Sequence, residues 1–186
     1  MPEPDDPASP TNPFGLFGLE PSIDLDRAGL ERAWLRLSAK LHPDRVSESE
    51  REAAQARLAV LNDAKAALDD DERRANLVHA HLGGPSASDD KTLPEGLLEH
   101  TLAERMAIED AAASGNTEEI ARLREEVAER EQRLGATVKA LLERAAAHAD
   151  GDDHRTRALA EARVQLNAWR YLGRMRERLE GGSDLN

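Results

Sequence analysis

The residues from Arg36 to Arg45, Arg-Leu-Ser-Ala-Lys-Leu-His-Pro-Asp-Arg, carry the most distinctive chemistry in the chain. Pro43 cannot continue a helix, and its ring drives His42 out of the helical region of backbone space. His42, Pro43 and Asp44 therefore form a rigid polar corner at the end of a helix that carries Arg36 and Lys40. Asp44 could also cap the helix that follows, but Ser47 and Ser49 are better placed for that.

The other polar clusters support less. His79 and His81 bracket Ala80, and two side chains two residues apart on a helix point about 200° from each other, so they cannot share an ion. A metal is not expected there, nor with His42 or His100 added. Asp69 to Glu72 and Asp150 to Asp153 lack the alternating ligand order and central glycine of a calcium loop, and read as solvated turns, with His148 and His154 beside the second. No P-loop, glycine-rich dinucleotide turn or nucleophile–base pair is present. No enzyme and no cofactor are expected.

The elements that must position the corner are helical. Asp26 reads as an N-cap, with Leu25 and Leu30 as a hydrophobic staple. Leu30, Trp34, Leu37 and Leu41 then recur on one face. Arg32, Arg36 and Lys40 fall on a separate stripe. Such a stripe is ordinarily a solvated helix face, but a basic one in an acidic chain, ending at His42-Pro43-Asp44, reads as a docking surface. Ser47 with Glu50, or Ser49 with Glu52, forms a capping box for a second helix that buries Ala54, Leu58, Leu61, Ala64 and Leu68. A short loop makes the two helices antiparallel.

Upstream, residues 1–12 hold four prolines and three acids and are expected to be disordered. Phe14 to Leu19 is abruptly apolar and fits a single docked turn. Downstream, the turn-rich stretch from Gly83 to Pro94 reads as a linker and domain boundary. Three amphipathic helices follow. The first, from about Pro94 to Ala113, has Thr92 and Glu95 as its capping box and Leu98, Leu102 and Met106 on its apolar face, widened by Leu97 and Ile108. The second starts at Asn116 and uses Ile120, Leu123, Val127, Leu134, Val138 and Leu141. The third uses Leu159, Ala162, Leu166, Trp169, Leu172 and Leu179 and ends at Gly181-Gly182. Short turns between them imply an antiparallel three-helix bundle.

Bulk properties agree with an all-helical protein that binds proteins. The 25 Lys and Arg against 37 Asp and Glu leave a net charge of −12, the wrong sign for nucleic acid or an anionic membrane surface. There is no cysteine, no apolar run long enough to span a bilayer, and an N-terminus unlike a targeting peptide. A cytoplasmic location is expected.

The helix, His-Pro-Asp corner and second helix resemble the J domain of DnaJ-type co-chaperones. Phe14-Gly-Leu-Phe-Gly-Leu19, the Leu61-Asn62-Asp63-Ala64 to Leu68 pattern and Arg74-Ala75 before Leu77-Val78 resemble the HscB branch. With a linker and a C-terminal bundle, including Trp169-Arg170-Tyr171-Leu172, the resemblance runs from Phe14 to about Glu180. It implies a J domain over residues 13–82, a linker over 83–94, a three-helix bundle over 95–180 and a tail over 181–186. It also implies that Arg32, Arg36, Lys40, Arg45 and the His42-Pro43-Asp44 corner bind a DnaK/HscA-type ATPase chaperone and stimulate it. An iron–sulfur cluster scaffold would be the client of the bundle's first helix, at Leu97, Leu98, Glu99 and Leu102. Arg105 or Met106 stands where that family tends to carry an acid. Of the adjacent Leu97 and Leu98, only one can point fully into a three-helix seam, unless the linker or the J domain covers the other. The same fold would also serve a J-domain adaptor with another client, or a helical module that does not stimulate an ATPase.

Overall fold

The computed structural model describes residues 12–41 and 47–181. They form seven α-helices and, among the described residues, no strand: α1 Pro13–Phe17, α2 Arg27–Lys40, α3 Arg51–Asp69, α4 Asp71–His81, α5 Leu97–Ser114, α6 Thr117–Ala146 and α7 Asp153–Gly181. The chain divides into two compact units, Met1–Val78 and His79–Asn186.

In the first unit α2 and α3 pack on each other, and α1 packs on both. Phe14 and Phe17 bury almost completely, which anchors a helix too short to persist alone. Asn12, assigned by sequence to the disordered tail, caps α1 instead: its Oδ1 accepts from the Phe14 N–H at 3.1 Å. Gly18 ends that helix at φ +67°, where its N–H bonds back to Gly15, a left-handed stop that favours glycine.

Asp26 caps α2 through the Gly29 N–H at 2.9 Å. Leu30 is fully buried, while Trp34, Leu37 and Leu41 are half-buried. Trp34 keeps its Nε1 at the surface, donating to Asn62 of α3 at 2.8 Å, with the Lys65 ammonium 5.5 Å from its ring. Leu37 and Leu41 open onto an apolar groove of about 410 Å³, lined also by Leu16, Ala56, Arg57, Val60 and Leu61.

The Ser47–Glu50 box closes a single 3-10 turn, and α3 continues from it. The Ser47 hydroxyl and N–H both donate to Glu50, which holds that carboxyl below its ordinary range. The predicted core of α3 is buried at Ala54, Leu61, Ala64 and Leu68, while Leu58 is half-buried. The buried Arg74 of α4 locks the end of α3. Its guanidinium donates to the Leu68 carbonyl at 2.6 Å, the Ile23 carbonyl at 3.0 Å and Asp71 at 2.5 Å. A buried guanidinium is tolerated because its donors all find acceptors.

The second unit is built on the long α6–α7 pair, with α5 packed against both. Every predicted core position of α7 is buried. In α6, Leu123, Val127, Val138 and Leu141 are buried, while Ile120 and Leu134 are half-buried. Gly135 packs closely against α7: a Cβ there would meet the Trp169 ring at 3.0 Å, so the ring would have to give by a few tenths of an ångström.

Two expectations are corrected. The helix predicted from Pro94 begins at Leu97, because Gly96 turns left-handed at φ +74° and no side chain caps it. The stretch predicted as a linker is part of the second unit. Asn167 of α7 donates to the carbonyls of Asp90 and Thr92 at 3.1 and 3.0 Å, and Arg155 donates to the Leu82 carbonyl at 2.8 Å. Backbone acceptors in a polar segment are satisfied by side chains of the neighbouring helix, which a composition rule for linkers does not register.

Candidate functional site

In the first unit the predicted docking stripe is solvent-facing. Arg32, Arg36 and Lys40 are all exposed along α2. Arg32 reaches Asp26 at 3.4 Å, an exposed pair worth little. Among the described residues neither Arg36 nor Lys40 forms an ion pair. His42, Pro43, Asp44 and Arg45 lie outside the described residues.

In the second unit α5 carries the candidate client surface. Leu97 is buried at 9% exposure, whereas Leu98 and Leu102 stand 56% and 58% exposed, with Glu99 exposed beside them. One leucine of the adjacent pair turns in and the other turns out. Leu97 is thus a core residue, and the surface part of the predicted set is Leu98, Glu99 and Leu102. Met106, also 58% exposed, extends the same row by a turn.

This overturns the reading of Leu98, Leu102 and Met106 as the buried face of the helix. The face that packs is Leu97, Ile108 and Ala111, with the half-buried Glu104 between them. Ile108 and Ala111 join Leu123 and Val127 of α6 and Met175 and Leu179 of α7. Glu104 Oε1 accepts from Arg130 of α6 and lies 3.4 Å from His100 Nε2. An interior carboxylate facing a cation on the next helix is a signal that sequence could have offered, since Glu104 falls between Leu97 and Ile108 at helical spacing. At the ridge's margin Arg105 pairs with Glu109 at 2.7 Å. The ridge is therefore apolar along its crest and charged along its edges, the composition of a protein-docking patch.

Among the described residues no group of three or more His, Cys, Asp or Glu side chains converges. His79 is buried with Nε2 at 2.9 Å from the Leu159 carbonyl. His148 and His154 stack at 5.2 Å between ring centroids.

Residues 93–180 match the family described as HSCB C-terminal oligomerisation domain. The co-chaperone protein HscB homolog of Burkholderia multivorans is 32% identical over 146 residues, 73% of this chain and 82% of that protein. The chain belongs to the HscB co-chaperone family. The homolog from Paraburkholderia xenovorans is 30% identical over 145 residues, covering 75% and 82% of the two chains. Two solved structures share the fold, each with a TM-score of 0.72. Chaperone HscB from Vibrio cholerae is 22% identical and covers 94% of this chain and 98% of its own. Human co-chaperone HscB is 18% identical and covers 98% and 85%. Among the described residues no helix is long and apolar enough to cross a membrane.

Proposed function

We propose that this chain is a co-chaperone that couples a DnaK/HscA-type ATPase chaperone to an iron–sulfur cluster scaffold in the cytoplasm. The supporting observation is its kinship with HscB co-chaperones over most of its length. The basic stripe of α2, with Arg45, docks on an acidic surface of the ATPase. Pro43 fixes the direction of Asp44, which competes for a polar network restraining hydrolysis, and His42 completes the corner. The chain acts as a ligand that biases a two-state machine, so what counts is its differential affinity for the two states. The Leu98–Leu102 ridge, edged by Glu99, holds the scaffold while hydrolysis proceeds. The net charge of −12 opposes nucleic acid or an anionic membrane as partner.

The test is a single-turnover ATPase assay with a purified chaperone of that class. The wild-type chain accelerates hydrolysis and Asp44→Asn abolishes the acceleration. Pull-down of a scaffold protein should be lost in Leu98→Glu/Leu102→Glu. No stimulation by wild type reduces the chain to a helical adaptor, and stimulation without scaffold capture assigns it another client.

A further inference from the structure

The apolar ridge of α5 has two unlike edges. Counting about 100° per residue from the buried Leu97, the exposed Leu98, Leu102 and Met106 fall at about 100°, 140° and 180°. Arg105 and Glu109 fall at about 80° and 120°, and Glu99 and Asp110 at about 200° and 220°. Helix α7 lies beyond the first of these edges, because its Arg178 reaches Glu109 Oε1 at 3.5 Å. Helix α6 lies on the other side, because its Arg130 donates to Glu104, at about 340°.

Two contacts show that α5 and α7 run the same way. Asn167 holds the Thr92 carbonyl just ahead of α5, and further along both helices Arg178 holds Glu109. Four residues back from that pair stand Arg105 and Arg174, level with each other because the rise per residue is the same on both helices. Arg174 is exposed, and its guanidinium lies 5.6 Å from the Tyr171 ring, a contact that places the cation without neutralising it. Arg105, at 2.7 Å, and Arg178 share Glu109 and hold its carboxyl below the ordinary range. This edge therefore sets three guanidiniums against one carboxylate, in a chain whose net charge is −12. Glu177 falls about 60° beyond Arg174 on the side of α7 away from α5, and Arg176 turns to Glu131 of α6. Screening over about 8 Å leaves the local excess to set the field at this edge.

We propose that the Leu102–Met106 ridge and the rim of Arg105, Arg174 and Arg178 form one docking surface, whose occupant is a protein helix with an apolar stripe and carboxylates along one edge. The stripe covers the leucine and methionine side chains, and the carboxylates meet the guanidiniums of α7. Apolar burial at the centre supplies affinity, while charge at the rim sets orientation and partner choice. Glu99 and Asp110 repel a second row of acids, so the occupant's carboxylates belong on one edge only. That this occupant is the client rests on the function proposed above; the charge preference of the surface does not.

Fluorescence anisotropy on the full chain tests this with two synthetic amphipathic helices. Both carry a leucine stripe and one glutamine edge; the other edge is glutamate in the first and glutamine in the second. The glutamate helix should bind about five- to tenfold more tightly at low salt, although the chain as a whole repels it. Added salt should erode that preference, whereas a surface governed by whole-chain repulsion would bind the glutamate helix better as salt rises. Arg174→Glu should abolish the preference and Arg174→Lys should keep most of it, while Leu102→Glu should weaken both helices. Equal binding of the two helices, binding of neither, or a preference indifferent to Arg174→Glu overturns the inference. So does concentration-dependent dimerisation in sedimentation that Leu102→Glu abolishes, because a second copy would then cover the ridge. Scaffold pull-down on the same variants separates this surface from the client reading. Glutamate preference without scaffold capture keeps the surface and removes the client, and scaffold capture without the preference does the reverse.

Discussion

Gly84→Ala is expected to destabilise the second unit by about 2–6 kcal/mol, although nothing in its backbone demands glycine. A Cβ at Gly84 would lie 2.2, 2.4 and 2.6 Å from Cε1, Nε2 and Nδ1 of His79. That ring cannot swing aside cheaply. It is 1% exposed, its Nε2 is bonded to the Leu159 carbonyl, and the Gly84 N–H is itself tied to the His79 carbonyl at 3.0 Å. Overpacking of this kind costs about 1–3 kcal/mol. Displacing the ring adds about 1–3 kcal/mol for a buried imidazole N–H left without its acceptor. Gly173→Ala in α7 is the matched comparison, because a Cβ there meets nothing within 4 Å and alanine gains about 0.5–1 kcal/mol in a helix interior. Trp34 and Trp169 fall in different units. Both glycine changes are therefore made in a Trp34→Phe background, where urea unfolding read by fluorescence follows Trp169 alone. The two substitutions should move the urea midpoint in opposite directions at constant slope. A Gly84→Ala protein within about 0.5 kcal/mol of its parent would refute the packing argument.

Three further outcomes are expected. Burial, reinforced by the positive charge of Arg163, pushes the His79 imidazole below its ordinary value of 6.5, against the opposing pull of the Leu159 carbonyl. Between the two values the unfolded chain binds more protons, so stability is complete above pH 6.5 and falls as pH drops below it. His79→Gln should flatten that part of a stability–pH curve measured by urea melts. Leu61→Ala, at a position 5% exposed between α2 and α3, should cost about 2–5 kcal/mol in a melt followed at Trp34 in a Trp169→Phe background. Arg36→Glu should weaken chaperone docking while leaving helicity intact, and the wild-type interaction should fade with salt because exposed charges are screened over about 8 Å at physiological ionic strength. Equal ATPase stimulation by mutant and wild type across a salt series would count against the basic stripe.

Local rules were enough to place most of the helices. Asp26 and Asn116 cap where their side chains can reach the third residue on, and Gly18 and Gly115 stop helices by turning left-handed. The period of Leu159 to Leu179 named the core of α7, because a helix with one apolar stripe has one way to bury it. The basic stripe was likewise readable, since charge at helical spacing is a property of the chain itself and Arg32, Arg36 and Lys40 are exposed along α2; the His42-Pro43-Asp44 corner lies outside the described residues. The orientation of α5 was not. Leu97 and Leu98 are neighbours of one type, and each heads a plausible stripe. Leu97's row runs on to Ile108 and Ala111, with Glu104 meeting Arg130 from 26 residues away, whereas Leu98's runs on to the charged Arg105 and Glu109. Periodicity measures how apolar a face is, but which face is buried depends on the partners that polar atoms find across the fold. Those partners exist only once α6 and α7 are packed.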